Sequence, residues 1–141
     1  MRHPTFLGLF IALPLTSYSA CTPAKPEDFT TFLPHFLASG DFALSRTRTP
    51  LPLIGWNEDM EAKGGAHTGK VVRMIGKQEM QLTLPLTTYL REHGLTHKIA
   101  RQQTEKVTVQ VFKPDTDWLL LYHFRRQQGC WKLWKIEDFS L

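Results

Sequence analysis

The chain has 141 residues, 42% of them hydrophobic, with 17 Lys and Arg against 13 Asp and Glu. That length holds one domain, large enough to bury a core without staples. The positive residues are scattered, with Arg125-Arg126 the densest pair. Nucleic-acid binding needs them clustered on one face, so no nucleic-acid partner is expected.

Residues 1–20 read as a signal peptide. Met1-Arg2-His3 supplies a positive start, and Phe6 to Leu15 is an apolar run too short to span a bilayer. Pro14 would break a permanent helix there. Thr16 to Ala20 is small and polar, as a cleavage region should be. Residues 21–26 then read as a tether, and 27–141 as a single α+β domain. Ser19-Ala20-Cys21 resembles the lipobox of bacterial lipoproteins, with Tyr18 where Leu is usual. The resemblance implies lipidation of Cys21 by palmitate-type chains, and hence a membrane anchor in the cell envelope, facing the periplasm or cell surface. Several acyl chains make such an anchor lasting, at about 0.8 kcal/mol per buried methylene. Ordinary cleavage near Ala20 would instead leave Cys21 free or bridged to Cys130. Lipidation and bridging exclude each other. Because Cys130 lies in an apolar strand, where an unpaired Cys behaves as a small hydrophobe, we expect it buried and unpaired.

A helix is predicted from Pro26, with Glu27 and Asp28 in its first turn, where acidic groups suit the dipole. Phe29, Phe32, Leu33, Phe36 and Leu37 form its apolar stripe. Pro34 should kink or restart it. Ser39-Gly40 ends it, and Asp41 can cap a second short turn carrying Phe42 and Leu44. Residues 47–56 look extended, with two prolines keeping them from a central ladder position. Asn57 to Gly69 reads as an exposed loop. Lys70 to Ile75 and Glu79 to Leu84 are candidate strands. Pro85 to His93 is a candidate helix closed by Gly94. His97–Gln102, Lys106–Phe112, Trp118–Arg125 and Cys130–Phe139 are four strands, the last three joined by turns at 114–117 and 127–129. In the third of them Trp118, Leu120, Tyr122 and Phe124 share one face, as expected of a central strand. Helices followed by a mostly antiparallel sheet make an α+β fold.

The stretch Asp41 to Leu51, after Phe29-x-x-Phe32-x-x-x-Phe36, resembles the opening of a bacterial domain family of unknown function. That family belongs to the nuclear transport factor 2-like (cystatin-like cone) superfamily. Tyr122 to Ile136 is similar to the superfamily's final hairpin. Thr47 and Thr49 depart from the family, which tends to be apolar there. The resemblance frames residues 27–139 and implies a curved sheet wrapped around helices, with a concave mouth. It implies no activity, since the fold serves enzymes, ligand binders and protein-binding modules alike.

Chemistry is sparse. His93 and His97 are four apart, but Gly94 interrupts any helix that would bring them together, and no metal or other cofactor is expected. The acidic pairs are adjacent in sequence, so their side chains diverge in extended structure. There is no Gly-x-Ser-x-Gly and no phosphate-loop spacing. His123 and Asp138 remain as candidates for an acid/base pair across neighbouring strands, against a plain hydrogen-bonded histidine and a solvated strand-end carboxylate. Trp56, Trp118, Trp131 and Trp134 are either a binding patch or core. The leading expectation is therefore an envelope-anchored, non-enzymatic binding module with a protein partner, one version being an immunity-type protein that blocks a periplasmic toxin. Its contact surface would be the 57–69 loop and the outer face of the last hairpin. The alternative is a ligand-binding or enzymatic pocket using His123 and Asp138. A deep apolar pocket with a few convergent polar groups would favour the alternative.

Overall fold

The computed structural model describes residues 20–56, 69–84 and 86–140. The predicted signal peptide lies outside the described residues except for Ala20, and so does the predicted loop except for Gly69.

The first helix, α1 (Phe29–Ala38), starts three residues later than the sequence suggests, and it runs through Pro34 without restarting. Pro34 and Thr30, whose carbonyl loses its partner, both lie on the exposed face, while all five residues of the apolar stripe are buried. Packing therefore outweighs the missing hydrogen bond. Helix α2 (Gly40–Ser45) is capped by the Ser39 hydroxyl, which accepts from the Phe42 N–H; Asp41 sits in the first turn instead.

Strand β1 (Leu51–Trp56) is an interior strand, contrary to the reading from its prolines. Pro50 precedes the strand, and the parallel ladder to the last strand begins at Leu53, one residue beyond Pro52. The missing N–H groups thus fall outside that ladder. Strand β2 (Lys70–Ile75) pairs antiparallel with β1 along its whole length. The segment predicted as a strand at 79–84 is instead α3 (Lys77–Thr83) with Leu84 as its C-cap. Lys77-Gln-Glu-Met-Gln-Leu is a run of good helix formers, and Met80 and Leu84, four apart, are both buried. Helix α4 (Thr87–His93) ends as expected on Gly94, which takes the left-handed conformation at φ 65°.

Strands β3 (Thr96–Gln102), β4 (Lys106–Phe112), β5 (Leu119–Gln127) and β6 (Cys130–Asp138) complete one six-stranded sheet in the order β2-β1-β6-β5-β4-β3. Only the β1–β6 pairing is parallel among these strands. The β5–β6 turn is Gln128-Gly129, both with positive φ, as a tight two-residue hairpin requires. The helices cover one face of the curved sheet. There Phe124 meets Phe29, Phe32 and Phe36 edge-to-face at 5.4, 5.7 and 5.2 Å. Val107, Val109 and Val111 of β4, with Leu120 and Tyr122 of β5, extend this core. Thr47, where an apolar residue was expected, is buried too, its hydroxyl donating to the Ala43 carbonyl at 2.6 Å. The polar side chain is satisfied locally and so costs little.

Two irregularities matter for function. The β5–β6 register steps from His123–Lys135 to Phe124–Leu133, leaving Trp134 as an extra residue. The β3–β4 register likewise skips Ala100 between Ile99 and Arg101. Such bulges re-aim side chains.

Candidate functional site

The segment read as a tether folds back onto the last hairpin. Thr22 and Lys25 close a turn by reciprocal backbone hydrogen bonds of 3.2 and 3.1 Å, and the Glu27 N–H donates to the Gly129 carbonyl at 2.8 Å. A Cβ on Gly129 would collide with the Thr22 carbonyl, so the close approach depends on that glycine. This docking brings Cys21 and Cys130 within 5.2 Å (Cα–Cα) across 109 residues of sequence, and they form a disulfide. The expectation of a buried, unpaired Cys130 is thereby corrected. As the first residue of β6, beside the turn, Cys130 is only half-buried and faces the returning N-terminal segment. The Cys21 sulfur in this bond is the atom that a lipid anchor would use.

Glu27 was read as a first-turn dipole residue; the structure buries it. Its carboxylate accepts from Arg46 and from the Trp131 backbone N–H, both at 2.9 Å, and its carbonyl accepts from the Trp131 indole at 2.9 Å. Nothing in the local pattern signals this, because every partner lies on another element.

His123 and Asp138 are not brought together. In the β5–β6 register Leu120 stands opposite Asp138 and Tyr122 opposite Ile136, which places Asp138 on the helix-covered face. His123, alternating with Tyr122, is on the open face. There its Nδ1 shares a hydrogen bond of 3.1 Å with the Thr108 hydroxyl, and its Nε2 lies 3.6 Å from a Glu137 oxygen, too far for a hydrogen bond. Burial pushes the imidazole pKa below its ordinary value, and Lys135 and Arg101 add to that while Glu137 opposes it. Glu137 would be raised by burial, but a 2.6 Å hydrogen bond from Lys135 and the neighbouring His123 hold it below the usual carboxylate range.

Asp138 instead stands at a cavity of about 350 Å³ between the sheet and the helices, at the mouth of the cone. Its apolar walls are Leu53, Leu82, Leu120 and Ile136, with Trp118 and two tyrosines, Tyr89 and Tyr122, beside them. Burial raises the pKa of both phenols, and the nearby Asp138 carboxylate adds to it. Both therefore remain protonated donors across the physiological range. The Asp138 carboxylate also accepts from the Ser140 N–H at 2.8 Å. This is an apolar cavity in the size range of small-molecule sites, with a few convergent polar groups. Among the described residues that line it there is no thiol, imidazole or lysine amine. Sequence alternation from Trp118 does find one wall of it, but Tyr89 comes from a helix whose placement the sequence does not specify. Among the described residues no group of three His, Cys, Asp or Glu is placed to hold a metal, and no helix is long and apolar enough to cross a membrane.

No family model matches the chain, nor does any curated protein. Solved structures do. The chain is similar to a nuclear transport factor 2-like protein from Bacteroides fragilis, with TM-score 0.61 and 19% identity over 83% of this chain and 49% of that one. It thus spans about half the length of that protein. A cystatin-like protein from Bacteroides caccae matches with TM-score 0.55 and 17% identity, over 82% of this chain and 81% of that one. A DUF4783 family protein from Bacteroides fragilis matches with TM-score 0.50 and 9% identity, over 82% of this chain and all of that one. The chain has the nuclear transport factor 2-like, cystatin-like fold, as the resemblance implied. Likeness at these identities concerns architecture and assigns no chemistry.

Proposed function

We propose that this domain is an exported, non-enzymatic binding module whose working site is the mouth of the cone. Its ligand is a small, mainly apolar molecule that presents a hydrogen-bond donor, best a protonated amine, to Asp138. One observation carries this reading: among the described residues, the cavity pairs apolar and aromatic walls with a single carboxylate, Asp138. Aromatic faces and a carboxylate together favour a cation over an anion. The test uses phenethylamine, phenethyl alcohol and phenylacetate as probes, read by thermal shift and by the Trp118 indole NMR resonance. The amine should stabilise most and the carboxylate least, because at equal concentration a ligand that binds more tightly raises stability further. Asp138→Asn should remove the amine's advantage. Equal responses to amine and carboxylate, or no saturable response to any probe, would refute the reading.

A second reading, a protein-binding module of which an immunity-type toxin blocker is the specific version, is favoured by β2. This strand is at the sheet edge and exposes Val71, Val72 and Met74. Its occupant would be an extended segment of the partner, added to the edge as a further strand. A photo-crosslinker at Val72 that captures one envelope protein, equally well in Asp138→Asn, would favour this reading over the first.

The cysteines support one choice of compartment. Export to an oxidising space is supported by the Cys21–Cys130 pairing, since such bonds persist there and not in a reducing cytosol. Protein isolated from its native envelope should resist alkylation until reduced, then take two labels. An acylated Cys21 with a freely alkylated Cys130 would establish the lipid-anchor reading instead.

A further inference from the structure

The open face of the sheet carries a second concavity, of about 290 Å³, on the side away from the mouth. Both bulges border it: the one in β3 sets Arg101 at its rim, and the one in β6 puts Trp134 beside Lys135. Strict alternation along β6 would place Trp134 with the core residues or Lys135 with Leu133. The extra residue lets both line the open face.

Four cations, Arg101, Lys106, Arg125 and Lys135, line this concavity, and among the described residues one carboxylate, Glu137, borders it through Lys135 and His123. Among the described residues, no acidic side chain forms an ion pair with Arg101, Lys106 or Arg125. Lys135 alone has a partner, Glu137, at 2.6 Å. Arg125 is held in place by stacking on the Trp134 indole at 4.8 Å, and Arg48 stacks on the same ring at 4.6 Å. Two guanidinium groups thus share one aromatic ring, which fixes their positions while leaving their mutual repulsion uncompensated. At the floor, the His123 Nε2 is buried without a hydrogen bond, 3.6 Å from a Glu137 oxygen. Four cations around one carboxylate leave a surplus of positive charge at the concavity, which a bound anion would offset.

We propose that this concavity binds a phosphate ester, with Arg101, Arg125 and Lys135 around the phosphate and His123 beneath it. Several donors converging from three strands suit a tetrahedral group with three terminal oxygens better than a planar carboxylate, which a single guanidinium already satisfies. Thr108 and Gln103 add neutral hydrogen-bonding groups for the esterified part. The site faces away from Asp138 and does not depend on what the mouth of the cone binds.

Glycerol phosphate and phosphatidic acid vesicles present the same phosphomonoester chemistry from a soluble and a membrane source, so both are tested on the intact domain. NMR titration with glycerol phosphate should move the His123 ring and Trp134 indole resonances saturably, and acetate should bind at least ~10-fold more weakly. Vesicle sedimentation with phosphatidic acid, against phosphatidylcholine, provides the membrane arm. Arg101→Gln combined with Lys135→Gln should weaken whichever binding is seen by at least ~10-fold, leaving the denaturation midpoint near wild type. Binding of either phosphate ester that this variant loses supports the proposal and identifies the source. Acetate binding as tightly as glycerol phosphate, binding that survives the double substitution, or no binding in either arm would overturn it. Asp138→Asn should leave both arms unchanged, which separates this site from the mouth.

Discussion

Replacing Glu27 by alanine should destabilise the domain far more than its place near a helix start suggests. The carboxylate is buried, its side chain only 5% exposed, and the Arg46 side chain opposite it is 14% exposed. Alanine removes the acceptor of the buried Trp131 N–H and the counter-ion of Arg46, though Arg46 keeps a contact of 3.3 Å with the Trp131 carbonyl. An orphaned buried donor costs about 1–3 kcal/mol, and breaking a buried ion pair from one side costs about 3–5 kcal/mol. These overlap, so the expected loss is about 3–5 kcal/mol, a large part of the stability of a domain this size. Glu27→Gln can keep the one oxygen that Arg46 and the Trp131 N–H share but removes the charge opposite Arg46, and should lose about 1.5–3 kcal/mol, the worth of a hydrogen bond to a charged group. Urea denaturation with the disulfide intact gives both numbers directly. A loss below about 1 kcal/mol for Glu27→Ala, at unchanged m-value, would mean that the pair behaves as a surface contact and that the N-terminal segment is not clasped to the hairpin.

Phe124→Ala should cost about 3–5 kcal/mol, because Phe124 is 1% exposed and packs edge-to-face on three helix phenylalanines. A loss under about 1 kcal/mol would contradict its central position. Stability should also fall as pH drops through about 6.5, because the folded state holds His123 below its ordinary pKa. The unfolded chain then binds the proton first and the slope of stability with pH is positive there, flattening once the folded-state pKa is passed. His123→Gln should remove that part of the slope, measured as denaturation midpoint against pH; an unchanged slope would show that His123 is not the group responsible.

Wherever a period or a local rule sufficed, the sequence was enough. The apolar stripe of α1, the alternation in β5 and the glycine closing α4 each depend on neighbours within a few residues, and each is found where it was predicted. The mostly antiparallel α+β fold followed from those elements. Segment 79–84 shows the limit of a short apolar pattern, since Met80 and Leu84 suit a helix face as well as alternation approximates a strand.

What only the tertiary structure decided came from events outside that range. One extra residue at Trp134 shifts the phase of β6. Trp131 and Leu133 face the core before it; Ile136 and Asp138 do so after it. The side-chain period of a strand is two, so this single insertion moves Asp138 into the mouth and leaves His123 and Glu137 on the opposite face, dissolving the pair that strand proximity suggested. The replacement of Lys135 by Ile136 on the apolar side was the one local sign of it. The burial of Glu27 and the pairing of Cys21 with Cys130 have no local sign at all. Both depend on the chain's start meeting a turn about a hundred residues later. A contact of that separation is fixed by the closing of the whole sheet rather than by the residues on either side of it.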